Sequence, residues 1–120
     1  MALRFADRVK DTSTTTGTGV CTVSGSPPAS YQALSVIAVG QPISYEIVGQ
    51  TGSEVEGGEG VVLSATTFSR LRVTASSNNN ALVNLSAGTK DVFITISADY
   101  MNRTATRGEI NAVIAGIAMP

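Results

Sequence analysis

The chain has 120 residues and a formal net charge of −1, and 42% of its residues are hydrophobic while only 14% are charged. A chain of this length suits one domain with its own core, and this composition argues against intrinsic disorder. The charge balance gives no field that would attract nucleic acid or an anionic membrane. No apolar run approaches the roughly 20 residues that span a bilayer. The charged N-terminus has no apolar signal segment, so we expect assembly in a cytoplasm.

The side chains that carry most enzyme chemistry are absent or isolated. The chain has no histidine, so the commonest general base and metal ligand is missing. Its single cysteine, Cys21, cannot form an intrachain disulfide and is interpreted as a small buried thiol. We therefore expect no catalytic residue, no metal site and no cofactor, and we do not expect an enzyme.

The first half of the chain predicts an arm followed by short strands. In residues 1–12, charged and apolar positions alternate, which is typical of an extended N-terminal arm or edge strand, with a short helical turn as the alternative. Runs rich in β-branched and apolar residues follow, separated by glycine and proline, and they favour strands. These runs cover residues 12–19, 20–24, 31–39, 43–48 and 61–63.

The segment 51–60, TGSEVEGGEG, is acidic and rich in glycine. A phosphate-binding loop would need a lysine and a hydroxyl residue at fixed offsets, which are missing, so a hairpin is the favoured interpretation. Glu54, Glu56 and Glu59 carry the oxygen ligands that Ca²⁺ prefers. Because their spacing differs from that of an EF-hand, a solvated loop or an interface patch is favoured over a calcium site.

The segment 66–97 contains three runs with a period of two, separated by polar turns at 76–80 and 86–91. Successive residues of a strand point to opposite faces, so each run predicts a strand with one buried side, and together they predict a β-meander. The apolar positions of the three runs are Leu71 and Val73, then Val83 and Leu85, then Val92, Ile94 and Ile96.

Turn signals recur at the spacing of roughly 8–12 residues that is typical of short antiparallel strands in a sandwich or barrel. The sequence therefore predicts an all-β fold, an antiparallel β-sandwich or barrel of about 7–9 short strands. We assign residues 1–12 to the N-terminal arm, 13–100 to the β domain and 101–120 to a C-terminal tail with a short helix.

The tail has the pattern of a helix. Thr106 and Glu109 are spaced as a capping box. The apolar residues Ile110, Val113, Ile114 and Ile117 then fall on one stripe of a helix. This stripe must pack on the β domain, on a sister subunit or on another protein.

Two arginines, Arg70 and Arg72, are placed by alternation on one strand face. Two positive charges make a weak nucleic-acid surface, so bridging across a protein interface is favoured. The candidate partner-binding residues are Leu3, Arg4, Phe5, Arg8, Arg70, Arg72, Ile110, Val113, Ile114 and Ile117.

Three stretches resemble, in order, a β-rich module of tailed-phage virion proteins. They are ADRVKDTSTTTGTG at 6–19, FSR and ASSN between 68 and 78, and ALVNLSAGTKDVF at 81–93. The resemblance spans about three quarters of the chain. The module usually carries a tryptophan where this chain has residues 54–57, which leaves any packing shared at that hairpin open.

The resemblance implies a virion structural protein with no catalytic residues. A capsid decoration (cement) protein on the outer shell, bound to the major capsid protein as a dimer or trimer, is the first interpretation. A head- or tail-fibre base, bound to another virion protein, is the alternative. A carbohydrate-binding module is a third, which the absence of tryptophan disfavours because sugars stack on aromatic rings.

Overall fold

The computed structural model describes residues 3–104. This part of the chain contains seven strands, one 3₁₀ helix and one α-helix. They are β1 (Lys10–Ser13), β2 (Cys21–Thr22), the 3₁₀ helix (Leu34–Val36), β3 (Pro42–Gly49), β4 (Val55–Ser64), β5 (Thr67–Phe68), β6 (Arg72–Ser76), β7 (Lys90–Ile94) and α1 (Ala98–Thr104).

The strands form one antiparallel sheet in the order β1-β7-β3-β4-β5-β2, curled into a half-barrel. β4 is ten residues long and serves two partners on the same edge. Its first part pairs with β6 and its second part pairs with β5, each with a register irregularity. Such irregularities increase local twist, which is consistent with the curled sheet.

The inner face of the sheet holds the core. Alternate residues of β3, Ile43, Tyr45 and Ile47, are almost fully buried there, as a period of two requires. The Tyr45 ring packs on Phe68, with 4.9 Å between the ring centroids. The remaining buried apolar residues of this cluster are Cys21, Val23, Leu34, Ile37, Val62, Val83, Leu85 and Val92.

The prediction of a mainly β, antiparallel fold with one short helix near the C-terminus is confirmed in this coarse form. The described residues form a single curled sheet, and a second sheet packed against it is not among them. Cys21 is fully buried, as the sequence predicted.

Two predicted strands are wrong, and so is the predicted β-meander, because β6 pairs with β4 while β7 pairs with β1 and β3. Residues 31–39 contain a 3₁₀ helix, and Leu34 and Ile37 are buried three residues apart, which is a helical rather than a strand spacing. Residues 83–85 do alternate in burial, yet Leu85 forms only an isolated bridge with Gly17. The backbone of Val83 bonds instead to buried side chains, described below.

The N-terminal residues from Leu3 onward lie against the sheet. Leu3 and Val9 are buried, and Arg4 forms a parallel bridge with Ile43 of β3. Phe5 packs edge-on against Tyr100 of α1, with 5.3 Å between the ring centroids. The predicted capping box and apolar stripe of the tail lie outside the described residues.

Gly60 of β4 gives the strongest steric prediction of the fold. A Cβ on Gly60 would lie 1.7 Å from the carbonyl oxygen of Ser69, and this backbone atom cannot move without displacing the chain. We expect Gly60→Ala to lower the free energy of unfolding by about 3 kcal/mol. Urea denaturation measures the change.

The matched control is Gly19→Ala, because a Cβ on Gly19 meets nothing within 4 Å. Equal destabilisation by the two substitutions would contradict the steric explanation.

Candidate functional site

The most connected group in the interior is an ion pair between Glu56 of β4 and Arg70. The Arg70 guanidinium donates two hydrogen bonds to the carboxylate, Nη2 to Oε1 at 2.6 Å and Nε to Oε2 at 2.8 Å. Neither side chain is exposed to solvent. This paired geometry is the one that favours arginine over lysine in buried ion pairs.

Two further groups complete the carboxylate's hydrogen bonds. The Tyr45 hydroxyl donates to Oε2 of Glu56 at 2.7 Å, and the Val83 amide donates to Oε1 at 2.8 Å. Four donors on one carboxylate offset much of the desolvation that burial imposes on its charge. Val83 therefore has a side-chain partner for its amide, which is why no strand ladder is needed at this position.

The remaining guanidinium hydrogens hold two distant segments. Arg70 donates from Nη2 to the carbonyl oxygen of Val83 at 2.6 Å. It donates from Nη1 to the carbonyl oxygens of Gly17 and Gly19 at 3.0 and 3.2 Å. The Arg70 side chain thus connects β4 with the segment around Gly17 and Gly19 and with the segment around Val83.

The electrostatics of this group follow from its burial and its hydrogen bonds. Burial opposes ionisation of Glu56, but hydrogen bonds from Arg70, the Val83 amide and Tyr45 outweigh it and lower the pKa of the carboxyl. Burial, together with the neighbouring Glu56, raises the pKa of Tyr45. The ion pair is therefore charged and Tyr45 neutral at physiological pH.

Two more charged side chains are buried on the same face of the sheet. Lys90 donates from Nζ to the carbonyl oxygens of Thr15, Ser86 and Gly88. Asp11 accepts hydrogen bonds from the Thr12 and Gly25 amides and from the Ser24 hydroxyl. Each of these charged side chains thus holds nearby backbone groups in position through hydrogen bonds.

These interior charged groups form no metal-binding arrangement among the described residues. Residues 3–104 contain no cluster of three or more His, Cys, Asp or Glu side chains positioned for a metal ion. The three glutamates considered for calcium lie apart. Glu54 bonds to Ser86, Glu56 to Arg70, and Glu59 faces Arg103 of α1.

Arg70 corrects one sequence prediction. It was expected beside Arg72 on an exposed strand face, but its side chain is buried in the ion pair with Glu56. Leu71 between them is 67% exposed, so the alternation breaks at this residue, before β6 begins. Arg70 is therefore no candidate for contact with a partner.

The other candidate contact residues are dispersed. Arg72 is exposed and pairs with Asp99 at 2.9 Å, an interaction that fastens α1 to β6. Arg4 donates to the Gln41 side chain at 2.9 Å. Arg8 lies over the Tyr31 ring, 4.5 Å from its centroid. The residues of the tail stripe, Ile110, Val113, Ile114 and Ile117, lie outside the described part of the chain.

The outer face of the sheet carries a groove that the sequence did not predict. Pairing registers align five residues in one row across the strands: Lys10, Phe93, Glu46, Gly57 and Ala75. The groove has a volume of about 510 Å³, and its walls include Tyr31 on one side and residues 94–99 on the other. Small side chains at two positions of the row leave this space open.

Glu46 is the acidic residue in the row, and Asp99 is a second acidic residue in the groove lining. Burial raises the pKa of the Glu46 carboxyl. A Cβ on Gly57 would lie 2.6 Å from its Oε2, so the absence of a side chain at this neighbour leaves the carboxylate space. The alternation along the sequence places Glu46 on the strand face opposite to Tyr45 and Ile47. Only the register of the sheet shows that Phe93 lies beside it.

Comparisons of the chain with protein-family profiles, with curated protein sequences and with solved structures find no significant match.

No helix among residues 3–104 is long and apolar enough to cross a lipid bilayer.

Removing the buried charge of Glu56 should lower the free energy of unfolding far more than removing a surface charge does. Glu56→Gln leaves the Arg70 guanidinium buried without a counter-charge, and we expect it to lower the free energy of unfolding by about 3–5 kcal/mol at neutral pH. Glu54→Gln removes the same charge from the surface and should have a much smaller effect. Chemical denaturation of both variants measures the difference, and equal effects would contradict the assignment.

The same pair predicts a pH dependence. A carboxyl whose pKa falls on folding stabilises the protein above its unfolded pKa, and this stabilisation is lost as pH falls through the folded pKa. The gap in melting temperature between the native chain and Glu56→Gln should therefore narrow as pH falls below the ordinary carboxyl value of 4.5. Calorimetry over this range tests it, and a gap independent of pH would refute the explanation.

Proposed function

We propose that this chain is a bacteriophage virion structural protein, a capsid decoration (cement) protein that docks on the outer shell and bridges neighbouring major capsid subunits. Its partner is then the major capsid protein, and its location is the virion. A dimer or trimer at a symmetry point of the shell fits this role, because closed symmetric assemblies are the common form of homo-oligomers.

The observation that carries the proposal is the contrast between the two faces of the sheet. On the inner face, the charges of Glu56, Arg70, Lys90 and Asp11 are all satisfied by contacts within the chain. The outer face has a groove with an acidic group whose pKa burial raises. The inner face therefore serves the fold, and the part of the outer face around the groove is the surface available for a partner.

Exposed apolar side chains add to this support. Large hydrophobic residues on the described surface include Phe5, Val20, Val36, Val39, Val55, Leu63, Leu71, Ile96 and Met101. Burying such side chains at a contact is favourable by roughly 25 cal/mol for each Å² removed from water, before the costs of association. Many copies on one shell would multiply a modest contact.

The resemblance to tailed-phage virion modules supports a structural role and leaves the position in the particle open. The alternative function is a head- or tail-fibre base that joins another virion protein. This alternative differs from decoration in copy number, because a shell offers many equivalent sites and a vertex or tail offers few.

Binding to capsids tests the proposed function. Purified protein would be mixed with capsids of the phage that encodes it, prepared without this protein, and the bound copies counted by sedimentation and cryo-electron microscopy. We expect density at every equivalent shell position and greater resistance of the capsid to heat. Occupancy restricted to a vertex or the tail would favour the fibre-base alternative, and no binding would refute both.

The tail stripe is tested in the same assay. We expect Val113→Asp with Ile117→Asp to abolish capsid binding while leaving the melting temperature of the free protein unchanged, because the stripe is predicted to contact the shell. Asn111→Asp adds a negative charge off the stripe and serves as the control. A fall in melting temperature together with retained binding would place the stripe in the protein's own core.

A further inference from the structure

The groove on the outer face contains an acidic side chain that has no counter-charge among the residues the structure describes. Within residues 3–104, the backbone of Glu46 pairs in the sheet, but its side chain forms no hydrogen bond and no ion pair. Its cross-strand neighbours are Phe93 on β7 and Gly57 on β4, and neither can neutralise a carboxylate. The charge of Glu46 is thus partly removed from water and is not compensated by any described side chain.

The charged groups around Glu46 are already engaged elsewhere. On one wall, Arg8 and Lys10 lie over the Tyr31 ring, at 4.5 and 5.2 Å from its centroid. Lys10 also lies 5.3 Å from the centroid of the Phe93 ring. On the other wall, Asp99 pairs with Arg72 and Arg103.

The same holds for every lysine and arginine in the described part of the chain. Each one is hydrogen-bonded, ion-paired or stacked on an aromatic ring. They are Arg4, Arg8, Lys10, Arg70, Arg72, Lys90 and Arg103. Each described cation of a second copy would already have a partner within its own chain, so the charge pattern favours a different protein as the occupant.

We propose that the groove receives a lysine or arginine side chain from another protein, whose charged group pairs with Glu46 while the apolar residues beside it contact Phe93 and Ile96. The space of about 510 Å³ fits a few side chains rather than a whole domain. The rim supports such a ligand, since Ile96 is 51% exposed and Ala75 leaves the far end of the row open. This inference rests on the proposed function, in which the occupant is a capsid subunit.

The effect of Glu46 on stability gives an independent readout. Burial raises the pKa of its carboxyl, so the ionised form is disfavoured in the folded chain. Such a group contributes stability below its unfolded pKa and loses that contribution as pH rises through its folded pKa. Glu46→Gln should therefore raise the melting temperature at neutral pH, with a difference that shrinks below the ordinary carboxyl value of 4.5.

A selection from a random peptide library tests the ligand without any capsid. The native protein is the target, and Glu46→Gln is the comparison. We expect enriched peptides to contain a lysine or arginine flanked by apolar residues, and to bind Glu46→Gln at least about tenfold more weakly, because a charge-assisted hydrogen bond is lost. Asp91→Asn, which removes a charge from the same sheet face outside the groove, should bind them as the native protein does.

A second variant keeps the charge of Glu46 but fills the groove with a cation of the chain itself. Ala75→Lys places a cation on the row with only Gly57 between it and Glu46. It should abolish peptide binding while keeping the Glu46 carboxylate, whereas Ala81→Lys, at an exposed loop position outside the groove, should leave binding unchanged. Retained binding by Ala75→Lys would overturn the proposal.

The remaining outcomes are also decisive. Enriched peptides without a cation, binding that is insensitive to Glu46, or no enrichment at all would each refute the proposed ligand. If the native protein and Glu46→Gln bind capsids equally well, the groove is not the contact while the decoration function stands. If neither binds capsids and the peptides still depend on Glu46, the decoration function fails while the cation site stands.

Discussion

The structure depends above all on the paired contact between Arg70 and Glu56. Arg70 lies between β5 and β6, which both pair with β4, the strand of Glu56, but the segments that the contact fastens to β4 are not paired with it. Gly17, Gly19 and Val83 are held by the arginine or the carboxylate rather than by a continuous ladder. In a chain with many threonines, serines and glycines and few aromatics, one charged pair thereby holds these distant segments in place.

A buried ion pair is a poor source of net stability, because desolvation of two charges offsets most of their attraction. Its contribution here is better understood as specificity. The four donors to Glu56 have fixed directions, so the Val83 segment can satisfy the carboxylate in one position only. An apolar pair of the same volume would tolerate sliding of these loops.

The strands that follow a strict period of two were predictable. Ile43, Tyr45 and Ile47 are buried as the period predicts, although Ser44 on the opposite face of β3 is buried too. Lys90 and Val92 of β7 follow the same rule. Prediction failed where side chains replace the backbone as hydrogen-bonding partners. Val83 and Leu85 have the burial pattern of a strand, yet no pattern along the sequence states that the partner of the Val83 amide is a carboxylate 27 residues away.

The misplacement of Arg70 has a related cause. Alternation assigns Arg70 and Arg72 to one face, but β6 begins only at Arg72 and the exposed Leu71 breaks the phase. The sequence feature that indicates a buried ion pair lies in β4 instead, where Glu56 falls on the same strand face as the buried Val62. An acid on the buried face of a strand requires a base inside the fold. The sequence pattern could have predicted a buried base, but only the folded structure identifies Arg70 as that base.

The two carboxylates of neighbouring strands, Glu56 and Glu46, face opposite sides of the sheet and are treated differently. Glu56 has four donors from the chain itself, and its pKa is lowered. Glu46 has none within the described residues, and burial raises its pKa. A partner that supplies one cation to Glu46 would find the carboxylate already partly dehydrated, so less of the binding energy would be lost to desolvation. In the proposed decoration function, this contact would be repeated at every equivalent position of the shell, so a modest individual strength would be sufficient.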